Sequence, residues 1–111
     1  MMLVAAAILK KTDGYWMVRR GPQQRHAGFW EFPGGKVEAG ETAPQALARE
    51  LWEELAIRVR VGDLLATAQS PEIQLQAYQV EIESGNIELR EHDDEVTLPL
   101  QDFQNFPMTE L

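Results

Sequence analysis

The sequence predicts an α+β domain built round a mixed β-sheet with one strong helix, and three observations predict it. Apolar or alternating segments of strand length fill both ends of the chain. Between them, from Thr42 to Ile57, Leu47, Leu51 and Leu55 recur every four residues and make one apolar stripe. The order is strands, one helix, more strands, without the regular alternation of strand and helix that builds a parallel sheet. At 111 residues the expectation is one domain, residues 1–111, with a single modest core.

Taken in order, Leu3 to Lys10 is apolar and reads as a buried first strand. Its apolar run is short and its lysines follow the run instead of preceding it, which is the wrong arrangement for a signal peptide. No other run approaches membrane-spanning length. "TDGY" (Thr12 to Tyr15) carries an Asp-Gly hairpin signal, and Tyr15 to Arg20 returns as the partner strand. "GPQQRHAG" (Gly21 to Gly28) is a loop. Phe29 to Phe32 is a short strand that ends at Pro33, followed by a turn at Gly34-Gly35. Thr42 is placed to cap the helix, and Pro44 suits its first turn, where a missing N–H costs nothing. Beyond Ile57 come the β-type segments "RVRV", "LLATAQ", "IQLQAYQVEI" and, after the turn "SGN", "IELR". "EVTLPL" reads as a last strand and "LQDFQNF" as a short final helix.

Composition limits the function classes. With no cysteine, neither a disulfide framework nor a thiolate metal site is available, which fits a cytoplasmic location. A formal net charge of -8 argues against a general nucleic-acid surface, since phosphate backbones are held by clustered Lys and Arg. It leaves room for one small phosphate ligand if metal cations neutralise the site locally.

The helix raises that possibility. Glu50, Glu53 and Glu54 cluster on the side adjoining the leucine stripe, because positions three and four apart are neighbours. Like charges at that spacing cost roughly 0.2–0.5 kcal/mol per pair. Glu53 and Glu54 also lie towards the helix C-terminus, where the macrodipole disfavours anions by about 0.3–1 kcal/mol. Helix propensity and a solvated face would explain three isolated glutamates. A hard cation such as Mg²⁺, which bridges carboxylates to substrate phosphates, would explain why they converge.

The flanking residues favour the cation. From Gly35 the chain runs five residues to Glu41, seven more, and then "RELWEELAI". This resembles the Nudix box, G-x5-E-x7-R-E-U-x-E-E-x-G-U with U a bulky aliphatic residue. Gly35, Glu41, Arg49, Glu50, Leu51, Glu53, Glu54 and Ile57 fit eight of its nine specified positions. The departure is Ala56, where the family has glycine and where a left-handed alanine would cost on the order of 1 kcal/mol. "WEFPGGKVEAGE" is similar to MutT-type nucleotide pyrophosphohydrolases.

The resemblance implies an α/β/α sandwich and Mg²⁺- or Mn²⁺-dependent hydrolysis of a nucleotide, with a nucleoside triphosphate giving a monophosphate and pyrophosphate. It implies Glu50 and Glu54 as metal ligands with the carbonyl of Gly34, and Glu53 as a further ligand or the residue that positions water. Glu41 and Arg49 become a structural ion pair that pins the glycine segment to the helix. Glu91, in "REHDDE", matches a further ligand, with Asp93, Asp94 and Glu95 as rivals. Arg20 is implied as a phosphate or nucleotide contact, and Phe32, which shares a strand face with Trp30, as lining for the nucleotide pocket. Glu31 reads as scaffolding, and His26 and His92 receive no role. Which carboxylate is the general base varies within the family.

MutT-type chains generally end in a helix whose start reads the base. Here Thr109 falls near that position and any helix is short or missing, so the pocket is expected to be completed by further residues or by a second subunit, in a monomer or homodimer. Rival readings are hydrolysis of a nucleotide sugar or dinucleotide polyphosphate and, in a different class, a non-catalytic nucleotide-recognition module. The three retained helix glutamates disfavour the last.

Overall fold

A computed structural model describes residues 1–105, with side chains through Asp102; Thr109 and the rest of the expected base-reading segment lie outside it. The strands are β1 (Met2–Ile8), β2 (Lys10–Lys11), β3 (Gly14–Arg20), β4 (Trp30–Glu31) and β5 (Gly34–Lys36), then β6 (Arg58–Gln69), β7 (Ile73–Ser84) and β8 (His92–Leu98). The helix α1 (Ala43–Leu55) falls between β5 and β6, and a 3₁₀ turn covers Leu100–Asn105.

Two sheets meet. The first is mixed and runs β5-β1-β7-β6, with β1 parallel to β7 and the outer pairs antiparallel. The second is antiparallel: β3 pairs with β2, β4 and β8. Ala5 and Ala7 of β1 lie under the helix, where Leu47, Leu51, Leu55 and Ile57 complete the main core. A smaller cluster of Met17, Trp30 and Leu98, with Phe32 and Val96 against it, fills the second sheet. Among the described residues α1 is the one α-helix, and no helix is long and apolar enough to cross a membrane.

The helix begins as its sequence demands. Thr42 accepts a hydrogen bond from the Gln45 amide at 3.2 Å, and the Gln45 side chain accepts from the Thr42 amide at 2.9 Å, a reciprocal capping box. It ends in a left-handed Ala56, φ 59° and ψ 30°, whose N–H bonds back to the Trp52 carbonyl.

Two sequence expectations are corrected, and two of the expected β-type segments prove continuous. Gly34-Gly35 is not a turn: both residues lie in β5, opposite Ala6 and Ala5. A Cβ on Gly34 would collide with the Ala5 carbonyl oxygen, so β5 lies too close to β1 for a side chain there. "RVRV" and "LLATAQ" form one strand, β6, whose register against β7 shifts between Val61 and Leu64 and again between Leu64 and Ala66. "IELR" is not a strand. Its Glu88 N–H donates to the Leu55 carbonyl at 2.9 Å and its Arg90 N–H to the Glu54 carbonyl at 3.2 Å, so its backbone satisfies the orphan carbonyls of α1.

Candidate active site

The site is built where α1 crosses β5. Gly35 has no side chain, and the space a Cβ would occupy is filled by the Glu50 carboxylate, with both of its oxygens 2.7 Å from that position. Glycine at 35 therefore lets Glu50 lie flat against the strand. Arg49 holds the arrangement from the side. Its guanidinium donates to both oxygens of Glu41 at 2.8 and 2.9 Å, to Glu50 at 2.9 Å and to the Lys36 carbonyl at 3.2 Å. The expected Glu41–Arg49 pair thus ties the segment before the helix to β5. Its Arg49 hydrogen bond, with one from the Glu38 amide, holds the Glu41 carboxyl down at about 2.

Glu54, one turn further on, is in the opposite situation. Burial pushes its carboxyl well above the usual range, and the neighbouring carboxylates of Glu50 and then Glu91 push it further. One of its oxygens, Oε2, is buried without a hydrogen-bond partner. A buried acceptor surrounded by anions is what a cation would satisfy. Glu91 reaches this place from the stretch 85–91 between β7 and β8, and that stretch is fastened to the helix end. Besides the two backbone bonds above, the Arg90 guanidinium donates to the Glu53 carbonyl at 3.2 Å. Arg90 thereby supplies the positive charge that the last turn of α1 lacks.

The expected convergence of all three helix carboxylates is corrected. Glu53 is turned aside to Arg49 at 3.2 Å, and its side chain is 56% exposed. Among the described residues no group of three or more His, Asp or Glu side chains is gathered closely enough to hold an ion alone. Unscreened carboxylates repel, and Glu53 finds its counter-charge in Arg49. Glu50, Glu54 and Glu91 are nevertheless oxygen donors of the kind a Mg²⁺-type cation takes, together with several waters and substrate oxygens. The carbonyl of Gly34, on the same crossing strand, is the backbone candidate beside them.

Of the rivals to Glu91, Asp93 pairs with Arg19 at 2.6 Å and Glu95 accepts from the Trp16 indole at 3.1 Å. Asp94 accepts from the Glu95 amide at 2.8 Å. Each is on β8 and engaged there.

Arg20 is engaged within the protein: its guanidinium donates to Glu31 at 2.9 Å and to the Arg25 carbonyl, and so closes the Gly21–Gly28 loop. Phe32 lines an apolar cavity of about 230 Å³ with Ile8, Tyr15, Leu65, Ala77 and Leu100. A second hollow of about 390 Å³ opens beside Glu91, between the Gly21–Gln24 turn and residues 90–93. Sequence reasoning missed His92, whose ring is buried and whose Nε2 lies 3.0 Å from Glu31. Its only sequence signal was its place next to Glu91.

Comparison with known proteins agrees with this geometry. A model of the NUDIX domain family matches residues 2–111. The CTP pyrophosphohydrolase of Escherichia coli (strain K12) is 37% identical over 112 residues, 97% of this chain and 83% of that protein. An 8-oxo-dGTP diphosphatase of Proteus vulgaris is 45% identical over 65 residues, 59% of this chain and 58% of that one. Among solved structures, that of the E. coli ORF135 protein has a TM-score of 0.84 at 35% identity, covering 97% of this chain and 80% of its own. A MutT structure from a comparison of Aliivibrio salmonicida and Vibrio cholerae gives 0.80 at 29%, covering 97% and 87%. With the box on its helix and its likeness running the length of the sheet, the chain belongs to the Nudix hydrolase family, among the MutT-like nucleotide pyrophosphohydrolases.

Proposed function

We propose that this chain hydrolyses a nucleoside triphosphate to the monophosphate and pyrophosphate in a Mg²⁺-dependent reaction, with Mn²⁺ as a substitute, in the cytoplasm. The observation that carries the metal requirement is Glu54, buried between Glu50 and Glu91 with an oxygen left without a partner. Glu50, Glu54, Glu91 and the Gly34 carbonyl would hold the cation. When bound, it supplies Lewis-acid polarisation of phosphoryl oxygens and charge neutralisation for the phosphate chain.

The protein's own residues do the rest. Arg49 keeps Glu50 against β5 and Glu53 beside it. Glu53, exposed to solvent, would orient the attacking water and accept its proton. The water oxygen bonds to a phosphorus of the α–β anhydride and the bridging P–O bond breaks. Both product phosphates then leave as anions. The apolar cavity lined by Phe32 takes the base, whose flat faces suit apolar and aromatic walls.

Similarity along nearly the whole chain to a CTP pyrophosphohydrolase puts pyrimidine triphosphates first, with 8-oxo-dGTP second on the shorter match. The test is a panel of CTP, dCTP, 8-oxo-dGTP, a nucleotide sugar and a dinucleotide polyphosphate with Mg²⁺. Pyrophosphate release from a triphosphate is expected. Orthophosphate as the sole first product, or hydrolysis of the nucleotide sugar alone, overturns the reading.

A further inference from the structure

Glu91 is held more firmly by its neighbours in the chain than by its own side chain. The Gln24 amide reaches its carboxylate only at 3.5 Å, the outer limit of a hydrogen bond. On one side of it, Arg90 is laced to the end of α1. On the other side stands His92, with its side chain 2% exposed. The carboxylate of Glu31 can only accept, so Nε2 of His92 carries the proton and donates to it at 3.0 Å. The other oxygen of Glu31 accepts from Arg20 at 2.9 Å. Histidine, glutamate and arginine thus come from β8, β4 and β3, three neighbouring strands, and meet beneath the point where Glu91 leaves the sheet. The register between β3 and β8 shifts there, from Arg19 opposite Asp94 to Arg20 opposite His92.

Holding the Glu31–Arg20 ion pair partly out of water beside a buried histidine is a costly way to gain stability, because apolar residues of similar volume commonly do as well or better. What such a network supplies is a fixed position. We infer that His92 is a positioning residue for the hydrolytic reaction, setting the place of Glu91 beside Glu54 through its bond to Glu31 and, beyond it, Arg20. The inference rests on the proposed reading of Glu91 as a metal ligand.

The test is a double-mutant cycle on the full chain, read by calorimetric Mn²⁺ titration and by steady-state kinetics. His92→Leu should weaken Mn²⁺ binding and lower kcat by about tenfold, with KM for the nucleotide changed less than about twofold. In a Glu91→Gln background, His92→Leu should cost nothing further in either measurement. His92→Gln, whose amide can still donate to Glu31, should recover part of the loss. If His92→Leu does not fold, Glu31→Gln runs the same cycle, with a loss of about threefold or more expected in the wild-type background only. An equal cost in both backgrounds, or unchanged Mn²⁺ binding, overturns the inference while leaving the proposed reaction standing. A wild-type chain that neither binds Mn²⁺ nor hydrolyses any nucleotide removes both together.

Discussion

Burial, and then the charges of Glu50 and Glu91, hold Glu54 above the usual carboxylate range, so the metal-free protein carries a destabilising residue at the centre of its site. Glu54→Gln should raise the melting temperature without metal by on the order of 2–5 °C. Mg²⁺ is expected to raise the wild-type melting temperature, and the same variant should lose that shift, read by thermal denaturation in both conditions. Glu41 is the reverse case. Its folded value of about 2 lies below its ordinary 4.5, so the Arg49 pairing stabilises the fold fully above pH 4.5 and that contribution is lost as pH falls towards 2. Urea midpoints measured across that window should fall steeply for the wild type, and more gently for Glu41→Gln. Both glutamates belong to the same box, and spacing alone gives no hint that one is stabilised and the other strained. That difference depends on partners brought in from β5 and from the stretch 85–91.

At the scale of elements, the start and the buried face of α1 were legible because its cap and its leucine stripe are local properties of the chain. Alanine in place of the box glycine left its end open, and the structure closes it with a left-handed Ala56. Alanine is a poor occupant of that last position. Ala56→Gly should stabilise the protein by about 0.5–1 kcal/mol, after allowing for the greater freedom of glycine when unfolded. Equilibrium urea unfolding would measure it, and no gain would mean that the end of α1 relaxes in solution. "IELR" was misread because alternation reports an extended chain with two faces and says nothing about its hydrogen-bonding partner. Ile87 and Leu89 do turn towards the core, but the backbone bonds go to a helix end instead of a strand. Gly34-Gly35 was misread because a glycine pair marks a turn and a close strand crossing equally well. The network of His92, Glu31 and Arg20 was invisible because its members are brought together by the pairing of three strands and have no common spacing.

For the molecule as a whole, the two sheets do different work. The mixed sheet and α1 present the carboxylates, while the apolar cavity lies where the two sheets face each other, with Tyr15 and Phe32 on one side and Leu65 and Ala77 on the other. If bases bind there, Leu65→Ser should raise KM for nucleotides several-fold, on the order of 1 kcal/mol, while kcat stays within about twofold. Equal losses in kcat and kcat/KM would place Leu65 nearer the chemistry than its position suggests. Leu65 is 53% exposed, so a substitution there need not disturb the core.

The stretch 85–91 works as a gauge of fixed length. It is fastened to the helix end by Glu88 and Arg90 and to the sheet by His92, so it has no slack to absorb an inserted residue. One extra residue there would carry Glu91 about 3.3 Å along the chain, several times the roughly 0.5 Å that a catalytic arrangement tolerates. Changes of substrate in relatives of this chain should therefore collect around the Phe32 cavity, where side chains can vary without moving Glu91.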